Sequence, residues 1–330
     1  MALLQRVANR GMDLLFVPGT GPLWRQRLKG QILCLLYHRV DTPGRIPFLD
    51  RYGVPPIPPQ ELTGELAFLQ ARGAEFLTFA DLRRGRFSDR DRFGVIVCFD
   101  DGLRCNYTTG VEVLDALQIP GVIFQSSALV GATTLIWEHT LYFHACDPQR
   151  ASLLRDLAHA RFPASRAHGG DALVAHLRDE QPVGEVEALL AEVSERSHCA
   201  SELHELAQAL YPTADQLRSL KGGPHEIGSH GHRHYPRSGI DEQTFRAELI
   251  TSRDNLEAIL GQRPHAYSYP FNSHGPGDAA ICQEHYEQVA TVDARPITRS
   301  TPFDELPRCT WPGPLRHPLQ RRRWLLTGHL

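Results

Sequence analysis

Two adjacent carboxylates, Asp100 and Asp101, follow an apolar run in the segment IVCFDDGLR at residues 96–104. Their negative charges repel each other, and neither side chain helps a strand to pack. A bound cation would relieve this repulsion, because one aspartate can ligate it while the other stays free beside it. Gly102 then lets the chain turn sharply with no Cβ in the way of a substrate. The pair therefore predicts a functional loop at the end of a strand.

Three histidines alternate in the segment SHGHRH at residues 229–234. On a helical turn His230 and His234 would lie within about 40° of each other with His232 pointing away, whereas on a strand all three would share one face. Either arrangement can bind a metal, because imidazole is the commonest ligand for zinc and its neighbours. A catalytic metal usually takes three protein ligands, so a carboxylate from elsewhere, such as the aspartate pair, must complete the site.

Short apolar runs that end in polar residues are expected to hold these groups in place. ILCLLY leads into His38, VIVCF into Asp100, and GVIF into Gln125. Such runs are typical of strands in a parallel sheet that is covered on both faces. A stretch with helical spacing that stops at Pro120 separates the last two runs, and this βαβ pattern requires parallel pairing.

Beyond the third strand the sequence becomes rich in alanine, leucine and charged residues. This character predicts helices with no strand between them over about residues 135–220. We interpret the segment as a helical insertion at about residues 132–212. Near its end Gln216 lies three residues after Thr213, a capping-box pattern that predicts a helix start near Thr213.

The composition is typical of a soluble globular protein, since 42% of the 330 residues are hydrophobic, 22% are charged and the formal net charge is −3. A chain of this length suits one α/β barrel with insertions. The basic residues form no dominant stripe, so nucleic-acid binding is not expected. Seven scattered cysteines without a CxxC pair argue against a disulfide framework and favour a reducing compartment.

The two ends of the sequence carry features of their own. The N-terminal apolar stretch is too short for a signal peptide or a membrane span, so we expect a cytoplasmic protein. Residues 1–30 are predicted to form a helical segment, and residues 313–330 form a basic tail that contains RRRWLLTGHL. Three arginines on a terminal helix are usually just solvated, and the alternative is that the basic termini make peripheral contact with a membrane.

The chemistry-bearing segments resemble those of a known family. FDDG at residues 99–102, with His230 and His234 in HxxxH spacing, resembles the first two motifs of the polysaccharide deacetylases, the NodB-homology group or carbohydrate esterase family 4. LLYHRV at residues 35–40 is similar to the family's leucine-x-histidine motif, moved to the front of the chain as in the circularly permuted branch that deacetylates poly-N-acetylglucosamine. SYPF at residues 268–271 is similar to the loop that follows the second motif.

The resemblance covers roughly residues 30–130 and 211–312. It implies an α/β fold: a distorted (β/α) barrel of about seven parallel strands that spans residues 31–312 and carries the helical insertion. It also implies a reaction, hydrolysis of the acetamide of an N-acetylated sugar. That sugar would belong to a glycan, to a lipid-linked or nucleotide-linked precursor, or to a sugar-containing natural product.

The resemblance further implies a catalytic or metal-binding role for each residue. Asp101, His230 and His234 would hold a divalent metal, with zinc expected first and cobalt, nickel or iron as alternatives. Asp100 would be the general base and His38 the general acid. Together these groups supply what amide hydrolysis needs, an activated water and a proton for the departing amine.

Supporting roles follow from the same resemblance. Arg308, in LPRC, would hold Asp100 in place, and the backbone N–H near Phe271 would help to bind the oxyanion. An aromatic side chain at such a position more often belongs to the core than to a sugar site. Four aromatic side chains are nevertheless candidates for stacking on a sugar ring: Tyr269, Phe271, Trp311 and Trp137.

Two other functions use similar residues. Two histidines and one carboxylate also form the facial triad of iron(II) oxygenases. That triad needs no second carboxylate such as Asp100, and the βαβ pattern does not suit the antiparallel jelly roll that usually carries it. A non-catalytic glycan-binding relative would typically have lost the base or a ligand, whereas this sequence retains all of them. The sequence therefore favours a metal-dependent hydrolase.

Overall fold

The strands close into a parallel barrel. A computed structural model describes residues 28–88 and 91–310. Neighbouring strands follow the order β1–β8–β7–β6–β5–β4–β3, β3 pairs back with β1, and β2 adds an eighth strand on β3. All pairings between these strands are parallel. The strands are β1 (Ile32–Tyr37), β2 (Glu75–Leu77), β3 (Gly94–Phe99), β4 (Val122–Gln125), β5 (Glu226–Ser229), β6 (Ala266–Ser268), β7 (Gln288–Val292) and β8 (Leu306–Thr310).

Helices connect and cover these strands. This arrangement confirms the predicted (β/α) barrel with seven parallel strands. Within the described ranges the α-helices are α1 (Pro47–Tyr52), α2 (Pro59–Gln70), α3 (Phe79–Arg83), α4 (Val111–Ala116), α5 (Trp137–Cys146), α6 (Pro148–Arg161), α7 (Asp171–Asp179), α8 (Val183–Arg196), α9 (Ala200–Leu210), α10 (Ala214–Ser219), α11 (Glu242–Leu260) and α12 (Asp278–Gln283).

Burial on both faces explains why the strand sequences are continuously apolar. All six side chains of β1 are buried, and they alternate between two apolar clusters. The odd-numbered ones join a cluster outside the barrel that includes Leu62 and Leu66 of α2. The even-numbered ones join a cluster inside the barrel that includes Ala266 and Leu306 from other strands. A strand with two buried faces can therefore be apolar along its whole length, as β1 is.

Six helices, α5 to α10, lie between β4 and β5, and we call them the helical layer. The layer has its own apolar cluster, to which five of its helices contribute Leu141, Leu154, Leu177, Leu189 and Leu203. This cluster also includes Phe48 and Leu49 of α1, which follows β1 of the barrel. The helical layer therefore packs against α1, mainly through α5.

The predicted start of α10 is confirmed by its cap. The Gln216 N–H donates to the Thr213 hydroxyl at 3.3 Å, and the Thr213 N–H donates to the Gln216 side-chain oxygen at 2.9 Å. The boundaries predicted for the insertion and the terminal segments stay predictions. The basic tail, Trp311 and most of the N-terminal segment lie outside the described residues. No helix within the described ranges combines the length and apolar character that a bilayer crossing requires.

Candidate active site

The predicted site residues lie together at the carboxyl ends of the strands. His38 follows β1, Asp100 and Asp101 follow β3, and the loop with His230 and His234 follows β5. Because the carboxyl ends of parallel strands meet at one edge of a barrel, residues far apart in the sequence are brought together there. All five line one cavity of about 400 Å³.

The histidine loop, residues 230–234, is neither a helix nor a strand. The two arrangements of the histidines that were predicted for a helical turn and for a strand therefore do not apply. Helix α11 fixes its shape, because one Glu248 oxygen accepts the backbone N–H groups of His232 and Arg233 at 2.9 and 2.7 Å. The His232 ring is held outside the cluster, with Nδ1 2.8 Å from the Ser127 hydroxyl. The outer two histidines of the segment remain to face the aspartates.

Asp101, His230 and His234 form a cluster whose ligand-type atoms all lie within 4.8 Å of one another. Asp101 Oδ1 lies 3.3 Å from His234 Nε2 and 3.7 Å from His230 Nε2. The Nδ1 atom of His230 donates to the Ser268 carbonyl at 2.9 Å, and that of His234 lies 2.9 Å from a Glu138 carboxylate oxygen. Both rings therefore present Nε2 to Asp101. Two imidazole nitrogens and one carboxylate oxygen are a donor set that fits zinc and similar divalent metals.

The electrostatics of the cluster favour positive charge between its members. Burial disfavours an imidazolium, but Glu138 and Asp101 outweigh it and raise the pKa of His234 to about 10. Burial likewise opposes ionisation of Asp101, yet His234 holds the pKa of this carboxyl well below its usual range. At His230 burial prevails and lowers the pKa to about 4. The two surrounding carboxylates would attract a metal ion for the same reason that they attract a proton.

Asp100 is clamped by a buried arginine. The Arg308 guanidinium donates to both carboxylate oxygens of Asp100, at 2.6 and 3.0 Å, and to the Ser268 hydroxyl at 2.6 Å. Asp100 and Arg308 are 3% and 0% exposed. Burial raises the pKa of Asp100, but the charges of Arg308 and His230 outweigh it and hold the pKa below its usual range. Asp100 is therefore an ionised, oriented carboxylate beside the cluster.

Gly102 has a different role from the one that the sequence indicated. Its φ is +75°, as a sharp turn requires, but a Cβ at this position would lie 2.1 Å from the Gln125 side-chain oxygen. That oxygen accepts the Tyr107 hydroxyl at 2.8 Å. The glycine therefore makes room for a buried hydrogen bond between Tyr107, in the helical turn Asn106–Gly110, and the end of β4, and the interpretation that it makes room for a substrate was wrong.

The aromatic candidates divide into one exposed ring and two core residues. Phe271 is 41% exposed, and its ring lies in the cavity wall, 4.8 Å from the His234 ring. Tyr269 also borders the cavity but is only 3% exposed and packs in an apolar cluster with α11 and α12. Trp137 is 4% exposed and donates from Nε1 to the His234 carbonyl at 3.3 Å. Only Phe271 of these three offers a ring face to a ligand.

Sequence reasoning missed a buried polar chain in the helical layer. Glu138 reaches His234, as described above, and its other oxygen lies 3.4 Å from His139 Nε2. The His139 Nδ1 atom lies 2.8 Å from the Tyr211 hydroxyl, which accepts the Ile136 N–H at 3.0 Å. The only sequence signal was a glutamate and a histidine at the start of a largely apolar helix. That signal names no partner, because His234 lies 96 residues further along.

Side chains of three helices, α1, α5 and α7, form part of the cavity wall. The rings of Tyr52, at the end of α1, and Tyr142, in α5, are stacked with centroids 5.6 Å apart. Arg178 of α7 donates to the Tyr142 hydroxyl at 3.5 Å. All three side chains line the cavity, so the helical layer encloses the space next to the strand ends.

Comparisons with known proteins agree with this fold. A family model described as polysaccharide deacetylase matches residues 88–284. A polysaccharide deacetylase from Bacillus cereus, BC0361, superposes with a TM-score of 0.56 at 14% identity, covering 91% of this chain and 70% of that one. IcaB from Ammonifex degensii gives 0.56 at 15% identity, covering 90% and 97%, and the deacetylase PplD from Streptococcus pyogenes gives 0.56 at 13%, covering 86% and 92%. No curated protein sequence matches.

The fold and the cavity define a (β/α)-barrel enzyme with its polar residues at the carboxyl ends of the strands. Because the family model covers more than half of the chain, the chain belongs to the polysaccharide deacetylase family. It is accordingly a hydrolase of amide bonds, a carbohydrate deacetylase. The parallel barrel also argues against the oxygenase alternative, whose facial triad is usually carried by an antiparallel jelly roll.

Proposed function

We propose that this enzyme is a metal-dependent N-deacetylase that removes the acetyl group from an N-acetylated sugar. Asp101, His230 and His234 would hold a divalent metal, with zinc as the first expectation. The observation that carries the proposal is the position of Asp100, an ionised carboxylate clamped by Arg308 next to three convergent ligand atoms. A glycan-binding relative without activity would typically have lost the base or a ligand, whereas Asp100, His38 and the three proposed ligands are all present here.

The residues around the cluster suit the steps of amide hydrolysis. When bound, the metal supplies Lewis acidity, which polarises the acetamide carbonyl and makes a bound water acidic. Asp100 Oδ2 lies 3.9 Å from His230 Nε2, so this oxygen faces the cluster and accepts the proton of the attacking water. His38 lies in the same cavity at the end of β1 and donates a proton to the departing amine nitrogen.

The turn after β6 is proposed to hold the developing oxyanion. Phe271 has φ +57° in the 3₁₀ turn Pro270–Asn272. The Asn272 side chain fastens this turn to β7, accepting the Val292 N–H at 2.7 Å and donating to the Val292 carbonyl at 3.3 Å. A backbone N–H held in a rigid turn is an effective oxyanion donor, worth about 10² to 10³ in rate. The exposed Phe271 ring would stack on the sugar.

The substrate class follows from the cavity and the family. A volume of about 400 Å³ lies within the range of sites that enclose a small ligand. We infer an N-acetylated sugar in a glycan, in a lipid-linked or nucleotide-linked precursor, or in a sugar-containing natural product. Contact of the basic termini with a membrane, and a cytoplasmic location, remain predictions.

One experiment tests the proposal directly. The zinc-loaded protein is incubated with N-acetylglucosamine oligosaccharides, a nucleotide-linked N-acetyl sugar and a lipid-linked one, and acetate release is followed with and without a chelator. We expect release from at least one substrate, abolished by the chelator and restored by zinc. Release that is insensitive to the chelator, or no release from any of the three with zinc bound, contradicts the proposal.

A further inference from the structure

Glu138 connects the helical layer to the proposed metal centre. We propose that it is a positioning residue that fixes the orientation and tautomer of His234 and thereby strengthens metal binding. This inference rests on the proposed function, because it takes His234 to be a metal ligand. It assigns a role at the proposed metal centre to a residue of the helical layer, which lies outside the motifs found in the sequence.

The hydrogen-bond geometry determines which nitrogen of His234 is available. A carboxylate oxygen can only accept, so the 2.9 Å contact between Glu138 Oε2 and Nδ1 requires the proton on Nδ1. The lone pair of the neutral ring then lies on Nε2, which is 3.3 Å from Asp101. Both Glu138 and His234 are about 95% buried, so water does not compete for this bond.

The two proposed histidine ligands are oriented in different ways. His230 Nδ1 donates to the backbone carbonyl of Ser268, at the end of β6, so the barrel itself orients this ring. His234 depends on a side chain of α5. Its backbone φ is +60°, a conformation that a residue with a Cβ seldom adopts without external support. Replacing Glu138 therefore removes the orientation of one ligand and leaves that of the other unchanged.

Glu138 is itself held in place by a chain of hydrogen bonds. The Tyr211 hydroxyl accepts the Ile136 N–H, so its own hydrogen is available to His139 Nδ1. His139 then carries its proton on Nε2, which faces the second oxygen of Glu138. Trp137, next to Glu138 in α5, donates to the His234 carbonyl. Helix α5 thus contacts both the ring and the backbone of one proposed ligand.

The arrangement has the form of a carboxylate–histidine–metal triad. Partners that orient a ligating imidazole in this way typically change metal affinity by about 10- to 100-fold when they are removed. A glutamate that served only the packing of α5 would influence the stability of the fold without affecting metal affinity. These two possibilities predict different measurements.

The test compares Glu138→Gln with a matched pair elsewhere in the helical layer. His176 Nδ1 also lies 2.9 Å from a carboxylate oxygen, that of Glu180, but neither residue lines the cavity. Zinc affinity is measured by competition with a chromophoric chelator at fixed pH, and thermal unfolding is measured on the metal-free proteins. We expect zinc to bind about 10- to 100-fold more weakly in Glu138→Gln and within about twofold of the original value in Glu180→Gln.

A second variant covers the case in which Glu138→Gln does not fold. Glu138→Asp keeps the charge but is one methylene shorter, and we expect an affinity between those of Glu138→Gln and the original protein. Zinc affinity within about twofold of the original in every folded Glu138 variant overturns the inference. If the original protein binds zinc and releases acetate in that case, the proposed function stands. If the original protein binds no zinc, both the proposed function and the inference fall.

Discussion

The barrel and the helical layer contribute to the same cavity in different ways. His38, Asp100 and His230 directly follow parallel strands, so the hydrogen-bond ladder of the barrel sets their spacing. Glu138 and Tyr142 reach the cavity from α5, whose position depends on how the layer packs against α1 and the loops. The groups proposed to react are therefore supported by backbone pairing, whereas the groups that orient and enclose them are supported by side-chain packing.

This difference predicts that changes in the two regions have separable effects. A change in the proposed base, Asp100, or in its clamp, Arg308, should alter the chemical step or the stability of the whole fold. A change in the helical layer should alter metal affinity or the stability of the layer. Four measurements test this distinction, and the effect expected from each is smaller than that from the one before.

The largest effect is expected from Asp100→Asn. The substitution removes the proposed base but leaves the three proposed ligands in place, so turnover should fall by about 10² to 10⁴. Bound zinc per chain should stay unchanged. Asp115→Asn, at an exposed position of α4, serves as the control and should retain full activity. Near-normal acetate release by Asp100→Asn on the same substrate would contradict the assigned role.

Arg308→Gln tests the buried clamp of the barrel. It leaves the buried charge of Asp100 without its partner, so the free energy of unfolding should fall by about 3 to 5 kcal/mol. The matched control is Arg246→Gln, whose ion pairs with Glu242 and Glu284 lie at the surface and should be worth less than about 1 kcal/mol. Urea denaturation measures both values. Equal losses in the two variants would show that the clamp stabilises the fold no more than a surface ion pair does.

The acid sensitivity of the helical layer should depend on His144. Burial, assisted by the charge of Arg150, lowers the pKa of this α5 histidine to about 4, and its Nε2 lies 2.9 Å from the Ser194 hydroxyl. The unfolded chain binds the proton more tightly, with a pKa near 6.5. The contribution of the neutral ring is therefore complete above about pH 6.5 and is lost as the pH falls towards 4. Its full size is at most about 3 kcal/mol.

His144→Gln should therefore reduce the loss of stability between pH 7 and pH 4.5. The measurement is the urea midpoint at the two pH values, followed by helical circular dichroism, for the variant and the original protein. An unchanged difference between the two midpoints would show that this histidine does not set the acid sensitivity of the layer.

The smallest effect is expected from Tyr211→Phe. It removes the hydroxyl that connects His139 with the Ile136 N–H, three contacts away from His234. Loss of a hydrogen bond worth about 1 kcal/mol should weaken zinc binding roughly fivefold. Tyr142→Phe removes a hydroxyl from the same layer without touching this chain and should leave zinc affinity unchanged. Equal zinc affinities for the original protein and both variants would mean that Tyr211 and the hydrogen bond to His139 do not influence metal binding.

Much of the barrel could be predicted because its strands are buried on both faces. ILCLLY and VIVCF contain no polar residue until the strand ends, so the end of the apolar run marks where a functional side chain can first appear. The capping box at Thr213 was equally local, since both partners lie within one helical turn. Patterns of this kind are complete within a few residues of sequence.

The surroundings of the site could not be predicted in the same way. Trp137 and Tyr269 carry aromatic rings of the kind that often stack on sugars. Packing with helices that are distant in the sequence nevertheless buries both rings. The need for glycine at position 102 depends on Gln125, which belongs to the next strand. Position along the chain does not reveal such contacts, because they depend on how whole elements pack.

By itself, the sequence determined the strand ends, the charged and imidazole side chains that follow them, and their order along the chain. Local hydrophobicity and spacing are sufficient for these features because each is encoded within a short segment. The tertiary structure alone decided that Arg308 meets Asp100 and that Glu138 meets His234, across 208 and 96 residues. Closure of the barrel and packing of the helical layer bring these partners together, and burial then makes their pairing necessary.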